Sequence, residues 1–334
     1  MIAASLTLLA MTVCLMSGCG FPYLVHVTKG QLQLMHQRQN IREVLEEGTV
    51  SFEQKKKLQL VLEVRRYALE TLKLEGEQNY IKYVHLERDS VAYNLVVCPK
   101  DRLEPYRWWF PFVGSVEYLG FFDKDYALEN KKEYEEEGYD VYARGASAYS
   151  TLGWFSDPVF STMLKFSDAT LSNIIIHELT HATIYRKGET SYNEGVATFI
   201  GNRGSKDFLI QKYGANSKEY VEAKNSEEDD FLFSQFMKGA RKDLEAFYQK
   251  PLTKEDKIQG REKIFLKIKS DFLALKPKFK TNAYAYFDKL TLNNAVIIAF
   301  GQYYQDLSRF EKIWEENGKS LPRTIEFLSK IKDG

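Results

Sequence analysis

Residues 174–185 read IIIHELTHATIY. His177 and His181 stand four apart, with Glu178 directly after the first. On a helix, positions i and i+4 project from one face a turn apart, so both imidazoles can reach one metal ion. Glu178 then lies beside the pair, where it can polarise a water without being a ligand. A lone histidine on an apolar helix is commonly a satisfied core residue. Two histidines and a glutamate among Ile174, Ile175, Ile176, Leu179 and Ala182 are costly unless ligated or paired.

This is the HExxH arrangement of zinc peptidases. A structural zinc is closed by four protein ligands, usually including cysteine. The folded body holds only Cys98, in the strand-like run AYNLVVCP, where it reads as a small buried apolar residue. A catalytic zinc keeps three protein ligands and one open position. No histidine follows His181, so the third ligand must be acidic. Glu194, in TSYNEGVATFI, and Glu189, next to Gly188, are the candidates. Ser191 and Glu194 also read as a capping box, in which Glu194 would reach back to the Ser191 amide, so the two roles compete. Glu194 is favoured because a helix fixes a ligand's direction better than a turn.

The elements that must position these groups follow from pattern. Residues 30–48 have helical spacing and stop at Gly48; residues 51–74 open with Ser51 and Gln54 as a capping box. The runs YIKYVHLE, SVAYNLVVCP and GSVEYLGFF predict strands of a small antiparallel sheet. A charged helix over 123–138 and a strand over 140–150 come next. The strand is placed either to pair with an extended peptide or to be a covered edge. Lys187 and Gly188 are expected to close the metal helix, with Gly188 to Ser191 as the turn into the next. NSEEDD (225–230) predicts a helix start capped by Ser226. From about 170 onward the pattern is nearly all helical. The expectation is one α+β domain over 22–334, with a largely helical C-terminal half.

The first 25 residues carry no charged side chain, and the apolar run ends in LMSGC (15–19). This predicts a secretory signal over 1–18 rather than a membrane span, with Cys19 in the position of a lipidated cysteine. An uncleaved N-terminal anchor is the alternative, and both place the body outside the cytoplasm. Lysine plus arginine equals aspartate plus glutamate at 46 each, which gives no electrostatic reason to expect nucleic acid as a partner.

The segments LMSGC, GQLQLMHQ, YSTLGWFSDP (149–158), HELTH, YNEGVATF and LNNA (292–295), in that order, resemble the predicted aminopeptidase family of bacterial envelope lipoproteins. The resemblance spans nearly the whole mature chain. It implies a zincin-type helix and a zinc-dependent peptidase of the gluzincin type. His177, His181 and Glu194 match the metal ligands, and Glu178 the catalytic glutamate. The GAMEN-like amine-binding segment of well-studied zinc aminopeptidases is absent, so the aminopeptidase label comes from the family alone. An endopeptidase, or a non-catalytic zinc lipoprotein that binds a partner, are the alternatives. For a peptidase, Glu178 would be the general base, and an oxyanion donor is required; Tyr149, Tyr303 and Tyr304 are candidates. The expected setting is the bacterial envelope, facing the periplasm, with peptide or protein substrates.

Overall fold

A computed structural model describes residues 20–110, 114–147, 156–301 and 307–331. The signal segment, Cys19, Tyr149, Tyr303 and Tyr304 lie outside the described residues.

The chain opens with helix α1 (Gly20–His36), strand β1 (Gln39–Asn40) and helix α2 (Ile41–Glu47). The single helix expected over 30–48 is therefore two. The helix begins ten residues earlier, and Asn40 starts a second one by accepting from the Arg42 amide at 3.0 Å. Gly48 ends α2 in the left-handed conformation, φ 68°. Helix α3 (Phe52–Glu70) starts with both bonds of the Ser51–Gln54 capping box.

Strands β2 (Lys82–Val84), β3 (Ala92–Cys98), β4 (Trp108–Phe110), β5 (Gly114–Val116) and β6 (Leu119–Phe121) follow, then helix α4 (Lys124–Glu136) and strands β7 (Asp140–Ala146) and β8 (Val159–Phe160). They form three small sheets rather than one: β6-β3-β7, β1-β2-β8 and the ribbon β4-β5. All pairings are antiparallel except β2 with β8, which run parallel with Tyr83 opposite Val159. β7 is an edge strand, and its edge is met at Val141, whose carbonyl accepts from Asn293 Nδ2 at 3.2 Å.

The C-terminal half holds helices α5 (Asp168–Thr183), α6 (Thr190–Tyr213), α7 (Lys218–Tyr248), α8 (Lys254–Leu275), α9 (Asn294–Gly301), α10 (Ser308–Glu316) and α11 (Leu321–Lys330). The fold class is α+β. The start expected at Ser226 is not one. Ser217 caps α7 through the Tyr220 amide, and the acidic run lies inside a 31-residue helix. Buried Asp229 instead accepts from the Lys280 amide at 2.9 Å and the Thr281 amide at 2.7 Å, so it fixes the loop after α8.

One core joins α3, α5 and α6 through residues such as Leu58, Val64, Ile176, Val196 and Phe199. A second packs α7, α8 and α9 against β3 around Phe233, Phe272 and Phe287. A buried ion pair ties the helices of this second core to the sheet. Arg261 on α8 grips Asp140 at the start of β7 at 2.6 and 3.0 Å, and the Asn294 amide donates to the same carboxylate at 2.9 Å. No helix among the described residues is long and apolar enough to cross a membrane.

Candidate metal centre

Both histidines lie on α5, capped by Ser167 through the Thr170 amide at 3.1 Å. The helix stops at Thr183, earlier than the Lys187–Gly188 closure expected, because Ile184 turns into extended conformation (φ −129°, ψ 103°). Gly188, φ 82°, bends the connection instead. Asn193 clamps that turn: it donates to the Arg186 carbonyl at 2.7 Å and accepts from the Arg186 amide at 2.8 Å. The Asn193 clamp fixes where α6 begins, and with it the direction of the next residue, Glu194. Nothing in the sequence singles out Asn193, because its burial and its two bonds to Arg186 arise only when the turn folds.

The competing capping box does not form. Glu189 is the N-cap residue, makes no side-chain cap bond, and pairs with Arg186 at 3.5 Å; Ser191 is already inside the helix. The Glu194 carboxylate turns to the histidines. Its oxygens lie 3.4 Å from His177 Nε2 and 3.6 Å from His181 Nε2, and the two Nε2 atoms are 3.2 Å apart. Ligands bound tetrahedrally about 2.05 Å from a zinc ion are separated by about 3.3 Å. The 3.2 Å between the two Nε2 atoms matches one edge of such a tetrahedron, Glu194 presents a different oxygen to each ring, and two imidazoles with a carboxylate are zinc's usual donors.

Protonation agrees with that fit. Burial, then the charge of His177, lowers the His181 pKa to about 4 against the opposing pull of Glu194, so its ring is neutral and its Nε2 lone pair available. His181 is 6% exposed, and its other nitrogen, Nδ1, is buried without a hydrogen-bond partner. Burial works to raise the Glu194 pKa, but its hydrogen bond with His177 and the charges of His181 and His177 bring it below the ordinary value.

The two helices approach closely through small residues. A Cβ on Gly201, two turns beyond Glu194, would sit 3.2 Å from His177 Cβ and 3.4 Å from the Asn173 carbonyl oxygen. The loop before β2 packs on the other side of α5. At Gly76 (φ 106°) a Cβ would lie 2.8 Å from Leu179 Cδ2, and the Glu75 amide donates to Thr183 Oγ1 at 2.9 Å. This loop delivers Tyr80, which is 2% exposed and holds a left-handed φ of 58°. Its amide donates to the Asp157 carbonyl at 2.8 Å. Burial, then the charges of Glu178 and Asp157, push the Tyr80 phenol well above its ordinary range. Tyr118, between β5 and β6, is half exposed, and its phenol is pushed up by partial desolvation and then by the charge of Glu194. Among the described residues, these two tyrosines, missed in a sequence with 21, are the ones the charges of Glu178 and Glu194 shift. A residue so common gives no pattern from which to select them.

Residues 22–334 match the family model described as "Putative aminopeptidase". The chain belongs to that family. The match covers everything but the N-terminal segment and supports a peptidase, a hydrolase of peptide bonds. No curated protein and no solved structure matches the chain.

Proposed function

We propose that this member of the aminopeptidase family is a zinc-dependent metallopeptidase. Its ligands are His177, His181 and Glu194, and Glu178 is its general base. The observation that carries the reading is the set of three donor atoms, one each from His177, His181 and Glu194, within 4.8 Å of one another, with Glu178 next to His177 in the same turn. Zinc bound there supplies Lewis acidity, lowering the pKa of a water toward about 7 and polarising a carbonyl. Glu178 accepts the proton of the attacking water and returns it to the leaving amine. His181, neutral, and Glu194, ionised, hold their donor atoms ready; Asn193 and the Gly201 contact hold the two helices at the required spacing. The family name favours action at a free N-terminus. We further propose that Cys19 is lipidated and tethers residues 22–334 to an envelope membrane, facing the periplasm.

The test is zinc content together with turnover of a mixed peptide library, for wild type and Glu178→Gln. The variant is expected to keep zinc and fold while losing several orders of magnitude in turnover. Near-normal hydrolysis by it would remove Glu178 from the role. Product analysis of the same library separates release of single N-terminal residues from internal cleavage.

A further inference from the structure

We infer that the first half of α1 is latched to the body by a pH-sensitive contact, with His26 as the titrating group: it is docked at neutral pH and released from strand β6 on acidification. Tyr23, His26 and Gly30 are spaced for one face of α1. All three meet β6 and the residue that follows it. Strand β6 is an edge of its sheet, and these side chains cover it. The Tyr23 hydroxyl accepts from the Gly120 amide at 3.2 Å, and His26 Nε2 accepts from the Phe122 amide at 3.1 Å. The Tyr23 ring packs 5.4 Å from Phe121. A Cβ on Gly30 would stand 2.2 Å from Phe122 Cδ2, so the helix lies directly on that ring.

The His26 bond exists only for the neutral imidazole. Its acceptor is a ring lone pair, and protonation makes both ring nitrogens donors, so that one N–H would face another. Little nearby compensates an imidazolium. The rings of Phe121 and Tyr126 have their centroids 6.1 and 4.7 Å from that of His26. Two charged groups act on it, Asp123 at the start of α4 and Lys29 on α1. The Asp123 carboxylate already accepts from the Tyr126 amide at 2.9 Å as the cap of α4. Lys29 repels a second cation. Burial is the largest influence, and with Lys29 it outweighs the pull of Asp123, leaving the docked ring below its ordinary pKa.

Released from the sheet, the imidazole returns to a pKa of about 6.5 and binds a proton more readily than when docked. Falling pH therefore favours release, and docking has its full strength only above about 6.5. A docked ring that stayed wholly neutral would set the upper limit, a shift of about tenfold in the release equilibrium between pH 7.5 and 5.5. Leu34, 3% exposed in the first core, holds the far end of α1, so release is confined to the half nearest Cys19. On a lipidated chain that half links anchor and body, and its release lets the body stand further from the bilayer at acid pH. This consequence rests on the proposed tether; the latch does not.

Hydrogen exchange read by mass spectrometry on the full chain in detergent tests the latch, after correction for the pH dependence of intrinsic exchange. Protection of residues 22–31 should fall several-fold, up to about tenfold, from pH 7.5 to 5.5 while that of α3 stays constant. His26→Gln, whose amide oxygen accepts without titrating, should show no such fall. An equal fall in both proteins, or none in the wild type, overturns the inference. Nuclear magnetic resonance titration of the wild type decides independently of whether the glutamine variant docks. The His26 signal, identified as the one that variant lacks, should titrate below 6.5, and a midpoint at or above 6.5 overturns the latch. No readout uses zinc, peptide or a bilayer, so failure of the peptidase or tether reading is separate from failure here.

Discussion

Replacing Gly201 with alanine adds one methyl group where α5 and α6 touch behind the candidate ligands. The new Cβ would stand 3.2 Å from His177 Cβ, 3.4 Å from the Asn173 carbonyl and 3.5 Å from Asn173 Oδ1. Carbon atoms prefer about 3.5–4.0 Å, so the helices must part or shear by roughly 0.3–0.8 Å. A metal site tolerates deviations of about 0.2 Å in its ligand distances. The His177–Glu194 separation of 3.4 Å spans the two helices, so it absorbs the shift directly. Zinc affinity should fall about 10- to 100-fold, the size of loss that follows from disturbing groups that orient ligands. Stability should move much less. Alanine favours a helix over glycine by about 1 kcal/mol, which offsets an overpacking cost of about 1–3 kcal/mol. Zinc competition against a chromophoric chelator, beside thermal melting of the metal-free proteins, reads both quantities. Gly204→Ala is the control. Its Cβ would meet Leu72 Cδ1 at 2.9 Å and Ile176 Cγ2 at 3.2 Å, in the core rather than against His177. That variant should lose melting temperature and keep more of its zinc affinity. Wild-type zinc affinity in Gly201→Ala would refute the claim that this contact sets the spacing of the ligands.

Three further outcomes are expected. Glu194→Gln should lose zinc affinity while Glu189→Gln, whose carboxylate pairs with Arg186, retains it; equal affinities in the same competition assay would dismiss Glu194 as a ligand. Asp140→Ala leaves the Arg261 charge buried and uncompensated, so chemical denaturation should show a loss of about 3–5 kcal/mol, and a loss below about 1 kcal/mol would count against the pair as the tie between the C-terminal helices and the sheet. Cys19→Ser should move the protein from the membrane to the soluble fraction if the signal is otherwise cleaved. Persistent membrane association with an intact N-terminus would instead identify an uncleaved anchor.

What the residues settled alone was local. The i, i+4 spacing of His177 and His181 puts both rings on one face of any helix that forms. The Ser51–Gln54 box and the Gly48 stop needed only their neighbours, and the alternating runs marked where strands lie. Local signals also misled. NSEEDD reads as a helix start because serine followed by carboxylates satisfies free amides. Inside α7 those amides already have partners, and packing on α8 and α9 carries the helix straight through. Ser191 and Glu194 had cap spacing as well, yet the Asn193 clamp on Arg186 starts the helix two residues earlier and leaves the carboxylate free to turn inward. The spacing already favoured Glu194 over Glu189, but that its carboxylate faces the histidines belonged to tertiary structure, since it depended on which face of α6 meets α5. The same holds for Tyr80 and Tyr118. Each belongs to a segment distant in sequence from the two helices, and only the packing of those segments decides that the charges of Glu178 and Glu194 reach them. A chain records its nearest-neighbour preferences residue by residue; contacts between distant segments exist only once burial has chosen which faces meet.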